Sequence, residues 1–131
     1  MELNRERVHQ RDLVLFNEPY DESKYAGGIR HFSELYGDDL QELFRLGVID
    51  PRDAQNCCPN VTKIAAFLKD HKNFSAHGYA VSKKRDDYRV SLEGVACGPG
   101  YSMQDVWDFF RLFKAPDEFR VDELGMRCWY D

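Results

Sequence analysis

Residues 74–97 constrain the fold more than any other part of the chain. Two alternating runs, 74–82 and 88–97, flank the charged stretch Lys83-Lys84-Arg85-Asp86-Asp87. Successive side chains on a strand point to opposite faces, so alternation on both sides of a polar turn is the pattern of a β-hairpin. In the first run Tyr79 and Val81 share one face, and Ala76, Gly78, Ala80 and Ser82 share the other. In the second, Tyr88, Val90 and Leu92 alternate with Arg89, Ser91 and Glu93. The spacing predicts that Tyr79, Val81, Tyr88, Val90 and Leu92 face a helix layer. The small residues of the first run then oppose Arg89, Ser91 and Glu93 across a shallow polar trough.

Elsewhere the spacing is helical. Between 29 and 48, Leu40, Leu43 and Phe44 follow three- and four-residue steps, and Phe32, Leu35 and Tyr36 extend the same surface before Gly37. Asp38 or Asp39 is placed to start that helix, and Gly47 to close it in a left-handed turn. Asn60 caps a second helix with a stripe of Val61, Ile64, Ala65 and Leu68, broadened by Phe67, and with His71 and Lys72 near its end. A third opens on Ser102 with Asp105 three residues on, a capping-box pattern, and carries Val106, Phe109, Phe110 and Phe113 ahead of Pro116. Met126, Cys128 and Tyr130 alternate with Arg127 and Trp129, which reads as a final strand over 126–130. Residues 1–28 carry the faintest pattern. There 12–16 reads as a short strand after a charged segment, 19–28 as a turn-rich loop, and the whole as a loosely held start. The sum is one α+β domain over 1–131. Its antiparallel sheet has three to four strands, the hairpin 75–97 plus 126–130, packed against about three helices.

Composition narrows the function classes. With 43% hydrophobic and 14% aromatic residues, the 131-residue chain can bury a core without covalent staples. A net charge of −5 argues against a nucleic-acid binder, which needs clustered Lys and Arg, and fits an ordinary soluble protein first and a chain steered toward a basic partner second. No apolar run is long enough to span a bilayer, and the N-terminus lacks the apolar core of a signal peptide, so a cytoplasmic location is expected. The four cysteines, Cys57, Cys58, Cys97 and Cys128, are then thiols. Adjacent Cys57 and Cys58 do not have knuckle spacing, and no histidine pair has helical ligand spacing, so no metal or cofactor is expected.

Three groups carry the candidate chemistry. His77, Arg89 and Glu93 are the catalytic candidates, because an imidazole or carboxylate moves protons and a guanidinium binds anions. Arg89, Ser91 and Glu93 on the hairpin, with Asp53 and Asn56 in the polar loop 50–58, form a candidate binding face. Trp129 and Tyr130 at the C-terminal edge are candidate anchors, since Trp and Tyr dominate interface hot spots. Phosphate loops, nucleophile elbows and zinc-protease helices are absent. The expected function is a small, acidic, non-enzymatic binding or accessory module that acts through a protein partner. The alternative is a small enzyme or small-molecule binder using the hairpin face and loop 50–58. A homodimer through the trough or through the strand at 126–130 is a third reading.

Overall fold

Capping and apolar spacing place most of the elements where the sequence puts them. A computed structural model describes all of residues 1–131. Four helices, α1 (Val8–Phe16), α2 (Gly37–Leu46), α3 (Val61–Asp70) and α4 (Met103–Leu112), accompany five strands. These are β1 (Ile29–Leu35), β2 (Phe74–Val81), β3 (Val90–Cys97), β4 (Glu118–Asp122) and β5 (Gly125–Trp129). They form one antiparallel sheet in the order β1-β2-β3-β5-β4, giving a single compact α+β domain. No helix is long and apolar enough to cross a membrane.

The caps are as expected. Asn60 accepts from the Lys63 amide at the start of α3, and Ser102 and Asp105 form a full capping box on α4. Gly47 ends α2 with φ +70, which costs a side-chain-bearing residue strain and glycine none. One detail differs. Tyr36 is the N-cap of α2, and Asp38 and Asp39 lie in its first turn, where their charge meets the helix dipole.

Two strands were not legible as strands, which is why the sheet has five rather than three or four. Residues 29–35 form β1, not the start of a helix. A register shift between Phe32 and Leu35, with Glu34 at φ +59, lets both apolar residues turn inward although they are three apart. A bulge in a strand thus imitates helical spacing. Residues 118–122 form β4, whose apolar residues are exposed rather than buried.

The segment 12–16 is likewise helix, not strand. The inward stripe of α1 is Val8, Arg11, Asp12 and Leu15, so charged residues occupy its central core positions. Arg11 and Asp12 have no exposed surface. Arg11 Nε donates to Asp12 Oδ1 at 2.8 Å, Nη1 to the Val81 carbonyl at 2.9 Å, and Nη2 to the Tyr25 hydroxyl at 2.8 Å. Tyr25 in turn donates to Asp12, and the guanidinium lies 4.8 Å over the Tyr88 ring. This network ties the N-terminal segment to the end of β2.

The hairpin is present, but its first strand faces the other way. Ala80 pairs with Val90, Tyr79 with Ser91 and Gly78 with Leu92. Directly paired residues share a face, so Ala76, Gly78 and Ala80 lie with Val95, Leu92 and Val90 on the helix side. Tyr79 and His77 lie with Ser91 on the open side. The small residues of β2 lie under α3, which packs directly on this strand, while Tyr79 stays outside the core cluster. The C-terminal alternation is as expected: Met126, Cys128 and Tyr130 are fully buried, and Arg127 and Trp129 point to the open face. The strand at 126–130 is not an edge, because β5 runs between β3 and β4.

At the far end α4 closes the core. Phe74, Phe109 and Phe113 join Phe67 in an aromatic cluster with centroid separations of 5.0 to 6.1 Å. His71 joins α3 to α4, its Nδ1 lying 2.6 Å from Asp105 and its Nε2 3.0 Å from Asp108. Removing one member of a buried ion pair strands the other in a medium that solvates it poorly. Arg11→Ala is therefore expected to lower unfolding free energy by about 3–5 kcal/mol. Urea denaturation followed by circular dichroism measures it, and a loss within the range of exposed substitutions would show that the network is not a support.

Candidate functional site

The open face of the sheet gathers most of the residues picked from the sequence. At the β2–β3 bulge, His77 pairs with Gly94 and Gly78 with Leu92, leaving Glu93 as the extra residue. Its side chain is buried, with Trp129 Nε1 3.4 Å from Oε2 and His31 Nδ1 3.9 Å from Oε1. His77 meets the edge of Trp129 at 6.1 Å, and the Arg127 guanidinium lies 4.8 Å over the same indole. Gly94 permits this assembly, because a Cβ there would stand 2.1 Å from the Cys128 carbonyl oxygen and 2.9 Å from His77 Nε2. His31, His77, Glu93, Arg127 and Trp129 thus form one cluster. His31 and Arg127 are members that sequence reasoning missed, because only the sheet order brings β1 and β5 onto this face.

The remaining predicted residues have other roles. Arg89 is committed within its own hairpin: Nε to Ser91 at 2.9 Å, Nη1 to Asp87 at 2.9 Å and Nη2 to the Tyr79 hydroxyl at 2.8 Å. It braces β2 against β3 and has no free fork for an anion. Asp53 lies beside Arg89 and Ser91. Burial lifts its carboxyl above the ordinary range against the pull of Arg89, and one of its oxygens is buried without a partner. Asn56 is exposed at φ +39 and takes no part in the cluster. Tyr130 is fully buried with its hydroxyl on the Lys114 carbonyl at 2.8 Å, so it anchors the core and is no surface contact. Trp129 is half-buried.

The electrostatics favour neutral groups. Burial pulls the His77 imidazole down to about 4, Arg127 acts in the same direction, and Nε2 is buried without a hydrogen-bond partner. Burial pushes the Cys58 thiol up to about 12, which removes it as a thiolate nucleophile, and all four cysteines are unpaired. The face therefore offers a neutral imidazole, a stacked cation and a sheltered carboxylate.

A second surface was not foreseen. Met103, Trp107 and Phe110 follow one stripe of α4 and are 71%, 64% and 44% exposed. Phe110 was expected in the core, but Phe109 and Phe113 take that position. Phe119, 61% exposed, meets Phe110 at 5.8 Å, and Val121 and Leu124 extend the band along β4 and its turn. Around the strand edge, Asp117, Glu118, Phe119, Arg120, Arg127 and Trp129 line a groove of about 500 Å³ that joins the band to the open face. The sequence signal was the surplus of apolar residues on α4, wider than one buried stripe needs. The chain matches no family model, and neither curated proteins nor solved structures provide a match.

The state of His77 gives a test of the cluster. Its folded value is depressed below the ordinary 6.5, so above that pH neither state carries the proton. Between 6.5 and 4 the unfolded chain binds a proton that the folded chain refuses, and stability falls as pH falls. The slope of unfolding free energy against pH in this window is expected to be shallower in His77→Phe than in wild type by close to one proton. Equal slopes would mean that His77 titrates freely in the fold.

Proposed function

We propose that this chain is a non-enzymatic binding module that acts by docking a protein partner on the α4–β4 face. The observation that carries the reading is the exposed band of Met103, Trp107, Phe110, Phe119, Val121 and Leu124. Water leaves such a contiguous apolar surface at a gain, and large exposed aromatics are the residues that dominate interface energies. Carboxylates outnumber cations around it and its groove: Asp108, Asp117, Glu118, Asp122 and Glu123 against Arg111, Lys114, Arg120 and Arg127. That excess, with the net charge of −5, suits a partner that presents apolar side chains within a basic surface. Trp129 and the groove beside it extend the face toward the sheet.

Immobilised chain is expected to retain one stoichiometric basic partner from a native lysate, with retention falling as salt rises. Trp107→Asp, at an exposed position, is expected to weaken retention at least tenfold while leaving the circular dichroism spectrum unchanged. Retention unaffected by this substitution would remove α4 as the docking element.

One observation favours a small-ligand reading of the open face. His77 and Arg127 line a notch of about 320 Å³ together with Ser33, Glu34, Ser75 and Asn73. A carboxylate that fits it should raise the melting temperature of wild type and not of Arg127→Ala. No such shift across a panel of small carboxylic acids would count against this reading.

A further inference from the structure

The order β1-β2-β3-β5-β4 leaves β4 with one side unpaired, a row of backbone donors and acceptors available to another strand. An edge strand of this kind is ordinarily guarded by a proline, a bulge or an inward-pointing charge. Within Glu118–Asp122 there is neither proline nor register break, and the strand pairs without interruption along its inner side. Its side chains alternate. Glu118, Arg120 and Asp122 share the face of their partners Trp129, Arg127 and Gly125, while Phe119 and Val121 share the face of Cys128 and Met126.

We infer that the β4 edge pairs antiparallel with β4 of a second copy of this chain, about a two-fold axis at Phe119. Charge excludes one axis and bonds already made disfavour another. A two-fold at Arg120 would set Arg120 against Arg120 and Glu118 against Asp122, which like charge opposes. A two-fold at Val121 would need Asp122 and the following turn, but Tyr101 already donates to the Asp122 carbonyl at 2.8 Å, and the Leu124 amide is bonded to the Asp122 side chain. A two-fold at Phe119 sets Glu118 of each copy opposite Arg120 of the other. It pairs Phe119 with Phe119 on the helix side and sets Asp117 of each copy opposite Val121 of the other.

An isologous contact requires this self-complementarity, and the sequence Glu-Phe-Arg supplies it in both charge and shape. Two ion pairs lie on the open face and one aromatic pair on the other, where Phe110 already borders Phe119. The result is a ten-stranded sheet across two copies, with the two α4 bands side by side. The strand overlap is short, so the dimer is weak and concentration-dependent. The dimer and the docking band share Phe119, and Trp107 on α4, 64% exposed, separates them, because it belongs to the band and not to the strand edge.

Sedimentation equilibrium of the full chain over a concentration series tests it. Wild type is expected to show a reversible monomer–dimer equilibrium. Glu118→Arg and Arg120→Glu, each of which turns two attractions into two repulsions, should each weaken it roughly tenfold or more. The double variant E118R/R120E restores opposite charges and should recover dimerisation. Both positions are exposed, so circular dichroism is expected to show all three variants folded. A wild type that stays monomeric at its highest soluble concentration overturns the inference, as does a dimer that the single variants leave intact or the double variant fails to rescue. Lysate capture by a chain that proves monomeric would sink the dimer alone and leave the binding module standing.

Discussion

A guanidinium withdrawn from water is tolerated only when its donors are met, and Arg11 meets that condition by drawing three parts of the chain together. Asp12 belongs to its own helix, Tyr25 to the loop before β1, and the Val81 carbonyl to the end of β2. Burial of the Arg11–Asp12 pair is offset only if all these partners arrive at once. The network therefore acts less as a source of net stability than as a device that fixes where α1 sits. With α1 in place, Leu15 reaches the core and the N-terminal segment covers that end of the helix layer. The interaction also explains why a segment rich in charge is packed rather than frayed.

Bulges then decide what the sheet shows to its surroundings. The irregularity in β1 keeps Phe32 and Leu35 both inward, and the extra residue in β3 pushes Glu93 toward Trp129 and His31. Each inserts one residue into a period-two pattern and so exchanges faces beyond it. The consequence is a polar face on which Ser91 and Glu93 are buried. His77 is the clearest product of this arrangement: neutral, largely buried and with an unpartnered nitrogen.

The C-terminal third carries the surfaces that point outward. Helix α4 is fixed from below by Phe109 and Phe113 and from the side by His71, held between Asp105 and Asp108. A helix so anchored can keep aromatic residues on its outer side without unfolding to bury them. Beside it β4 ends the sheet, with apolar residues on one face, paired charges on the other and an open edge between them. The groove near Trp129 connects this region to the polar face. Of the residues expected at the C-terminal edge, Trp129 is half-buried and Tyr130 is core, while the exposed aromatics of this region are Trp107, Phe110 and Phe119.

The sequence by itself determined the elements whose signals are local. Asn60, Ser102 with Asp105, and Gly47 mark helix ends through hydrogen bonds and backbone angles spanning a few residues, so α2, α3 and α4 were legible. The alternation of Met126, Cys128 and Tyr130 was legible for the same reason. Tertiary structure decided whatever depends on a distant partner. Charged Arg11 and Asp12 are core residues only because Tyr25 and Val81 meet them, so α1 carried no apolar stripe to read. The face of β2 follows from its pairing with β3 and from α3, which packs on this strand, with Ala76 and Ala80 in the core and Tyr79 outside it. Glu93, His31 and Trp129 come from three strands whose meeting depends on sheet order. Exposure of Phe110 depends on which residues of α4 the core has room to take, and that of Phe119 on the place of β4 at the sheet edge. Local hydrogen bonding is written in neighbouring residues, whereas burial is a property of the whole assembly, and that is where sequence reading and structure part.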